Sequence, residues 1–490
     1  MVSPQPKKWH SFSKVFLFVT PAMVPVLMVP PLEEEDELEF DQIVEKYDEI
    51  QLRTRMGYVY FYAGFSFMLV FTAFQTCGMI QNIVISSMKK QYAGYNGDGY
   101  ISLAVVYAVF AISNWLAPSI ICTVGPKICM LLGGVSYSLF IANFFFHETW
   151  CLYLASAIIG FGASLFWTGQ GNFLTINSDA ETMSRNSGVF WALLQCSLLF
   201  GNIFVFFKFK GKSEIDENTR FVVFGVLLGV SLVGLVLLCC LRNGKRQSVD
   251  VTSNPSATPE GSGALAEFKK AVFLLKTKKM LFLAITFLYT GFELSFFSGV
   301  YGTGIGFTKR FGSDAAKYVG ISGICIGAGE IIGGAVFGIL GKKTNKYGRD
   351  LVILLGYLFH IITFFLIYIN LPAKSTLRET NQPAFINSNV GLAMVCAFGL
   401  GFGDACYNTQ IYSILGSVYA EDSAPAFALF KFFQSIAAAI AFFYSSVLEL
   451  PYQLLILVVF GTLGTCSFWL VEWAEYQKLV KEKAEAKYKE

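Results

Sequence analysis

From about Tyr58 onward the chain alternates long apolar runs with short polar breaks. A helix needs roughly 20 apolar residues to cross a hydrocarbon core about 30 Å thick. Twelve runs reach that length: Tyr58 to Met88, Ile101 to Val124, Ile128 to Phe146, Leu152 to Ile176, Gly188 to Phe207, Phe221 to Leu241, Met280 to Gly306, Val319 to Leu340, Leu351 to Leu371, Val390 to Tyr419, Ala426 to Leu448 and Tyr452 to Val471. The pattern predicts an all-α membrane protein of twelve transmembrane helices.

The polar stretches divide these spans into two sets of six. Residues 57–241 hold the first six and residues 280–472 the second, joined by the segment 242–279 with its run "SVDVTSNPSATPEGSGA", which reads as a flexible linker. Residues 473–490 interleave Lys with Glu and predict a solvated helical continuation of the last span. The first 56 residues form an extension. Its apolar stretch Val15 to Pro31 follows Lys7, Lys8 and Lys14 as a signal sequence would, yet Pro21, Pro25, Pro30 and Pro31 would break a helix. No A-x-A cleavage site follows. A disordered or interfacial tail is expected there, with a signal or thirteenth span as the alternative.

Composition strengthens the membrane reading. Apolar and aromatic residues make up 54% of the 490 and charged ones only 14%, against about 25% charged in an average soluble domain. The net charge of +3 is too small to argue for nucleic acid, which is excluded as a partner. With the N-terminus inside, inside segments carry 25 of the 37 Lys and Arg and outside loops 11; because basic loops stay cytoplasmic, both termini are predicted to be cytoplasmic. Nearly all cysteines fall in apolar runs and read as small hydrophobes. His10, His147 and His360 are scattered and no CxxC occurs, so no zinc site is expected. No cofactor motif and no nucleophile–base pair is visible, so an enzyme is not expected.

An internal repeat is legible. "FTAFQT" (Phe71 to Thr76) in the first span resembles "YTGFEL" (Tyr289 to Leu294) in the seventh, and "GFGASLFWTGQ" (Gly160 to Gln170) in the fourth resembles "GFGDACYNTQ" (Gly401 to Gln410) in the tenth. Gln195 and Gln434 are similarly placed in spans five and eleven. Such repeats are the usual construction of transporters. The loop "GKKTNKYGR" (Gly341 to Arg349) keeps the glycines and Arg349 of the loop motif of the major facilitator superfamily, whereas "VGPK" (Val124 to Lys127) has lost most of it. "FTAFQTCG" (Phe71 to Gly78), "QGNFLTINS" (Gln170 to Ser178), "SRNSGVFWALLQCSLLFGN" (Ser184 to Asn202), "FFSGVYG" (Phe296 to Gly302) and "EDSAPAFALFKFFQS" (Glu421 to Ser435) resemble the Unc-93-like branch of that superfamily over about residues 57–475. The resemblance implies two pseudo-symmetric six-helix bundles, the major facilitator fold. It also implies two kinds of function, since the group includes a potassium-channel regulatory subunit and a trafficking partner of nucleic-acid-sensing receptors, while the fold is that of solute carriers.

The candidate chemistry lies in residues that do not belong in oil. A charge at the bilayer centre costs about 2.5–3.5 kcal/mol on insertion scales. Glu293, Glu330, Asp404 and Lys431 fall inside spans seven, eight, ten and eleven, and spans one to six show no interior charge. Neutral amides stand in the first half instead, Gln75, Gln170 and Gln195 among them. Gln75 matches Glu293 in the repeat, so the two are expected to face each other near mid-membrane. Gln170, Gln195, Gln410 and Gln434 complete the substrate- or ion-binding candidates. Lys431 is expected to neutralise Asp404 or Glu293, and Glu293 is a candidate proton or cation site; the alternative is a protonated carboxyl that hydrogen-bonds a neighbouring helix. Glu330, with Gly327 and Gly334 on its own face, reads as structural, the glycines packing and the carboxyl capping a neighbouring backbone. Asp179, Glu181 and Arg185, opposite Glu421 and Asp422, with Arg349 nearby, are candidates for a cytoplasmic gate.

Two functions follow. One is a secondary transporter of an unidentified small solute or ion, working by alternating access. The other is a non-transporting regulatory or trafficking partner of another membrane protein.

Overall fold

In a computed structural model, the residues described are 34–178, 183–209, 215–241, 264–312, 315–339, 348–419 and 421–489. The apolar stretch Val15 to Pro31, Asp179, Glu181 and most of the predicted linker lie outside them. Residues 1–56 and 57–490 are separate units; in the first, the described residues 34–56 are helical.

The described residues are almost wholly helical: α1 (Glu34–Gln91), α2 (Gly99–Ser113), α3 (Ala117–Val124), α4 (Pro126–Ala142), α5 (Thr149–Ile176), α6 (Met183–Phe209), α7 (Glu217–Cys240), α8 (Ala264–Leu275), α9 (Lys278–Ser295), α10 (Tyr301–Phe307), α11 (Ala316–Ile339), α12 (Asp350–Asn370), α13 (Val390–Val418), α14 (Ser423–Ser445) and α15 (Leu450–Lys489). Eleven helical stretches are long and apolar enough to cross a membrane, and a bent pair brings the number to twelve. Apolar side chains such as Val236, Ile362, Phe365 and Phe443 point outward, each at least 60% exposed. An exposed apolar belt of that extent is matched by hydrocarbon.

The second span is the one the sequence misdraws. The apolar run Ile101 to Val124 reads as continuous, but α2 ends at Ser113 and α3 begins at Ala117 at an angle of 65°. Pro118, in the first turn of α3, has no N–H to give the carbonyl of Asn114, so an unbroken ladder is impossible there. The Asn114 side chain donates back to the Phe110 carbonyl at 2.9 Å instead. In the seventh span, a wide π-helical turn at Phe296–Val300 separates α9 from α10; such turns are frequent at functional sites.

Helix α11 is the most closely packed. A Cβ at Gly327 would lie 2.9 Å from Leu198 Cβ of α6, and one at Gly334 would lie 3.3 Å from the Ala192 nitrogen. On the other face, a Cβ at Gly329 would collide with the Phe398 carbonyl oxygen of α13. Two rows of glycine thus let α11 touch two backbones at once, the close approach by which membrane helices gain van der Waals contact.

Two further features depart from the sequence reading. Arg220, in the first turn of α7 just before the predicted sixth span, is 1% exposed, so a buried charge stands at the end of that span. It donates to Tyr92 Oη at 2.9 Å and lies 3.6 Å from Glu217. The predicted flexible linker contains α8, which turns Ala271 and Leu274 inward and Phe273 outward. Lys270 of α8 pairs with Asp422 at 3.4 Å, and Phe268 lies 5.9 Å from the Trp115 ring between α2 and α3.

The glycine rows give a direct test. Gly329→Val should lower stability by about 1–3 kcal/mol through overpacking, whereas Gly229→Ala, with nothing within 4 Å of its new Cβ, should leave it unchanged or raised. Thermal unfolding of the purified variants in detergent measures both, and equal melting temperatures would contradict the packing described for α11.

Candidate functional site

An internal cavity of ≈ 70 Å³ lies among the spans. Spans one and five contribute Gln75 and Gln195 to its lining; spans seven, ten and eleven contribute Ser298, Asp404, Asn408, Lys431 and Gln434. Trp167, Trp191, Tyr107 and Tyr137 complete much of the wall. The rest of the wall is apolar, Phe71, Leu103 and Leu194 among it, so the polar groups are a minority of the lining. A water needs about 10–15 Å³ of such space, so the cavity has room for several waters or a small solute.

Both ends are covered. On the side of α8, Phe427 of α14 fills the space beside Gly171 of α5, and Tyr412 Oη donates to Gln170 Oε1 at 3.4 Å. On the opposite side Asn82 donates to Thr303 Oγ1 at 3.3 Å. There Tyr100 Oη also reaches across to the Thr376 carbonyl at 3.0 Å.

The amides and charges around the cavity hold one another. Gln75 Nε2 donates to Gln195 Oε1 at 3.0 Å, and Ser197 Oγ donates to Gln75 Oε1. Lys431 does not bridge to a carboxylate as expected. Its ammonium donates to Gln434 Oε1 at 2.7 Å and lies 4.6 Å from the Trp167 ring and 4.4 Å from Phe430. Gln434 Nε2 in turn donates to Thr290 Oγ1 at 3.2 Å. Asp404 accepts from Asn408 Nδ2 at 2.8 Å.

Behind Asp404 stands a cluster that the cavity does not touch. Asp404 neighbours both Glu293 and Glu330, and all three are at most 2% exposed. Glu293 Oε2 also lies 3.0 Å from His360 Nδ1, to which Tyr289 Oη approaches at 2.5 Å. His360 Nε2 faces the Leu400 carbonyl at 3.1 Å; that oxygen can only accept, which assigns a hydrogen to Nε2. The other nitrogen is shared between the Tyr289 hydroxyl and the Glu293 carboxyl. Tyr289, His360 and Glu293 thus form a buried ionisable cluster beside Asp404 at the cavity wall.

Glu330 does not cap a backbone. Its Oε2 accepts from the Trp191 indole at 2.8 Å, linking spans eight and five beside the glycine row. Gln75 and Glu293, paired in the repeat, do not face each other: Gln75 lines the cavity and Glu293 turns toward α12. Gln170 and Gln410 lie off the cavity, Gln410 donating to Thr409 Oγ1 at 3.1 Å. The expected gate is not assembled among the described residues. Arg185 contacts its neighbour Asn186, Asp422 pairs with Lys270, Glu421 is exposed, and Arg349 binds Glu472 at 2.9 Å and Ser417 at 2.8 Å. Among the described residues no group of three His, Cys, Asp or Glu side chains could hold a metal.

Sequence reasoning missed His360, Tyr289, Asn408 and Trp191. His360 was weighed only as a zinc ligand, although an ionisable group inside a span is itself a signal. Tyr289 and Asn408 stand four residues from Glu293 and Asp404, on the same helix faces.

The indole–carboxyl bond supplies a second test. Trp191→Phe strands a buried Glu330 oxygen and should cost about 1–3 kcal/mol, while Trp191→Phe combined with Glu330→Leu should cost less than the two single changes added together. A double-mutant cycle by thermal unfolding measures the coupling; strict additivity would show that the bond contributes nothing.

With this geometry in view, the chain can be set beside known proteins. Residues 91–469 match the family described as ion channel regulatory protein UNC-93. UNC93-like protein MFSD11 of Xenopus laevis is 48% identical over 428 residues, covering 85% of this chain and 96% of that protein. UNC93-like protein 3 of Arabidopsis thaliana is 26% identical, covering 80% and 81%. Among solved structures, the major facilitator superfamily transporter FucP in the outward conformation superimposes with a TM-score of 0.57 at 14% identity, over 84% of this chain and 99% of that one. The helices therefore adopt the major facilitator fold, and the chain is a multi-pass integral membrane protein that belongs to the UNC-93 family.

Proposed function

We propose that the protein is a secondary transporter that moves a small solute through the covered cavity by alternating access, with spans one to six and seven to twelve as the two rocking bodies. The observation that carries this reading is the cavity itself, lined from both sets of spans, with Gln75, Gln195, Asp404, Lys431 and Gln434 among its residues. Polar groups in a membrane interior are costly unless they have a partner or a task, and these five gather at one cavity. Proton coupling enters through the adjoining ionisable cluster of His360, Glu293 and Asp404, buried at the cavity wall. The basic excess around the predicted inner loops supports a cytoplasmic position for both termini.

A second reading is favoured by one specific observation, the description of the matching family as ion channel regulatory protein. On that reading the same scaffold binds and regulates another membrane protein and carries nothing.

Purified protein in liposomes, screened for solute flux with and without an imposed pH gradient, separates the two when run beside proximity labelling in cells. Transport predicts flux accelerated by the gradient, and Glu293→Gln should abolish the acceleration while leaving the fold intact. A stoichiometric membrane partner with no flux of any solute would select regulation instead.

A further inference from the structure

The cavity holds two buried, oppositely charged groups that do not neutralise each other. Lys431 has three N–H donors, and its one hydrogen-bonded acceptor is Gln434 Oε1 at 2.7 Å; aromatic faces of Trp167, Phe430 and Tyr412 surround the rest of the ammonium at 4.6, 4.4 and 5.7 Å. Asp404 takes its amide donor from Asn408, one turn along the same helix. Asn408 Oδ1 is buried with no donor among the described residues. All three residues line the cavity, and no direct ion pair within 4.0 Å joins Lys431 to Asp404 among the described residues. Each charge is thus held in place by a neutral amide, with hydrogen-bonding capacity left over on both sides of the space between them.

We propose that this cavity binds a small zwitterion, its anionic end on Lys431 and its cationic N–H-bearing end on Asp404 and Asn408. The inference rests on the same cavity as the transport reading and names its substrate class. Charge decides it. A simple cation would meet Asp404 favourably but lie against the Lys431 ammonium, and a simple anion would meet the reverse. A neutral solute would leave both side chains without a charged partner in a low-dielectric interior, where an unpaired charge is expensive. A solute with opposite charges at its two ends satisfies both walls at once. Size narrows the class: a cavity of about 150 Å³ accepts benzene, and this one is ≈ 70 Å³. The occupant is therefore a compact molecule on the order of five non-hydrogen atoms.

The test uses the full chain, purified and reconstituted, with glycine and β-alanine as zwitterionic probes. Acetate, methylamine, acetamide and phenylalanine are the matched anion, cation, neutral amide and oversized zwitterion. Thermal stabilisation and flux are both read. The expected result is stabilisation by glycine or β-alanine and by none of the four controls. In Lys431→Met and in Asp404→Asn, half-saturation should move about 10- to 100-fold higher, the loss of one charge-assisted contact. The selectivity series on the unaltered protein stands by itself should either variant fail to fold. Stabilisation by acetate, methylamine or acetamide equal to that by glycine overturns the inference, as does no stabilisation by any probe, which would mean that the cavity holds bridging water only. Flux of an uncharged solute without zwitterion binding overturns it and leaves transport standing. Zwitterion binding without flux supports it and removes transport.

Discussion

Hydrocarbon offers no hydrogen bonds, and that single deficiency organises the molecule. Every backbone amide must be satisfied within its own helix, and every polar side chain inside the bilayer must turn toward another. The result is an apolar exterior and an interior where polar groups are gathered in chains. Gln75 meets Gln195, Lys431 meets Gln434, Gln434 meets Thr290, and Asp404 meets Asn408. No pair is self-sufficient, because each donor or acceptor spent on one neighbour leaves another valence to be filled. The cavity is where this chain of obligations stays open.

The same constraint explains what could be read in advance. Span lengths were legible because oil sets a minimum length that no soluble helix must meet. Asp404, Lys431, Gln75, Gln195 and Gln434 were legible because a polar residue in an apolar run is conspicuous, and all five line the cavity. Glu293 was equally conspicuous, yet it faces His360 and lies off the cavity. A repeat aligns two segments along the chain but does not fix the rotation of each helix about its axis. The four-residue partners Tyr289 and Asn408 were hidden for a different reason: tyrosine and asparagine are common enough in helices to pass unnoticed until a carboxyl is seen beside them. The break in the second span had its signal in Pro118, which the unbroken hydropathy of Ile101 to Val124 masks. Helix α8 was obscured by the Pro-, Ser- and Gly-rich stretch before it.

Charge is distributed unevenly. The carboxyl cluster and Lys431 belong to spans seven to twelve, whereas the amides Gln75 and Gln195 belong to spans one and five. An amide is both donor and acceptor and stays neutral, so it can exchange partners across a moving boundary at little electrostatic cost. A carboxylate or ammonium exposed by the same motion would have to be resolvated. Placing Lys431 and the carboxyls in spans seven to twelve, with Gln434 and Asn408 as their own amide partners, keeps the charged network within one set of spans, and Arg220 bonds Tyr92 and pairs with Glu217.

The glycine rows of α11 then limit what that displacement can be. From Gly320 to Gly334 the helix meets α6 nearly backbone to backbone, a contact about 20 Å long at 1.5 Å per residue. The glycines of α11 receive the Leu198, Asn202 and Phe206 side chains of α6, so the two helices cannot separate without losing the whole contact. The Trp191–Glu330 bond sits on this seam and crosses it. In alternating access, the helix pair that stays in contact in both states acts as the axis, and the pairs that open and close lie toward the ends. At the ends the contacts include hydrogen bonds between side chains or to a carbonyl, from Tyr412 to Gln170 on one side and from Asn82 to Thr303 and Tyr100 to Thr376 on the other, with Phe427 packed against Gly171. On the proposed transport reading, the long seam of α11 against α6 serves as the axis, and the contacts at the two ends are the ones that open and close.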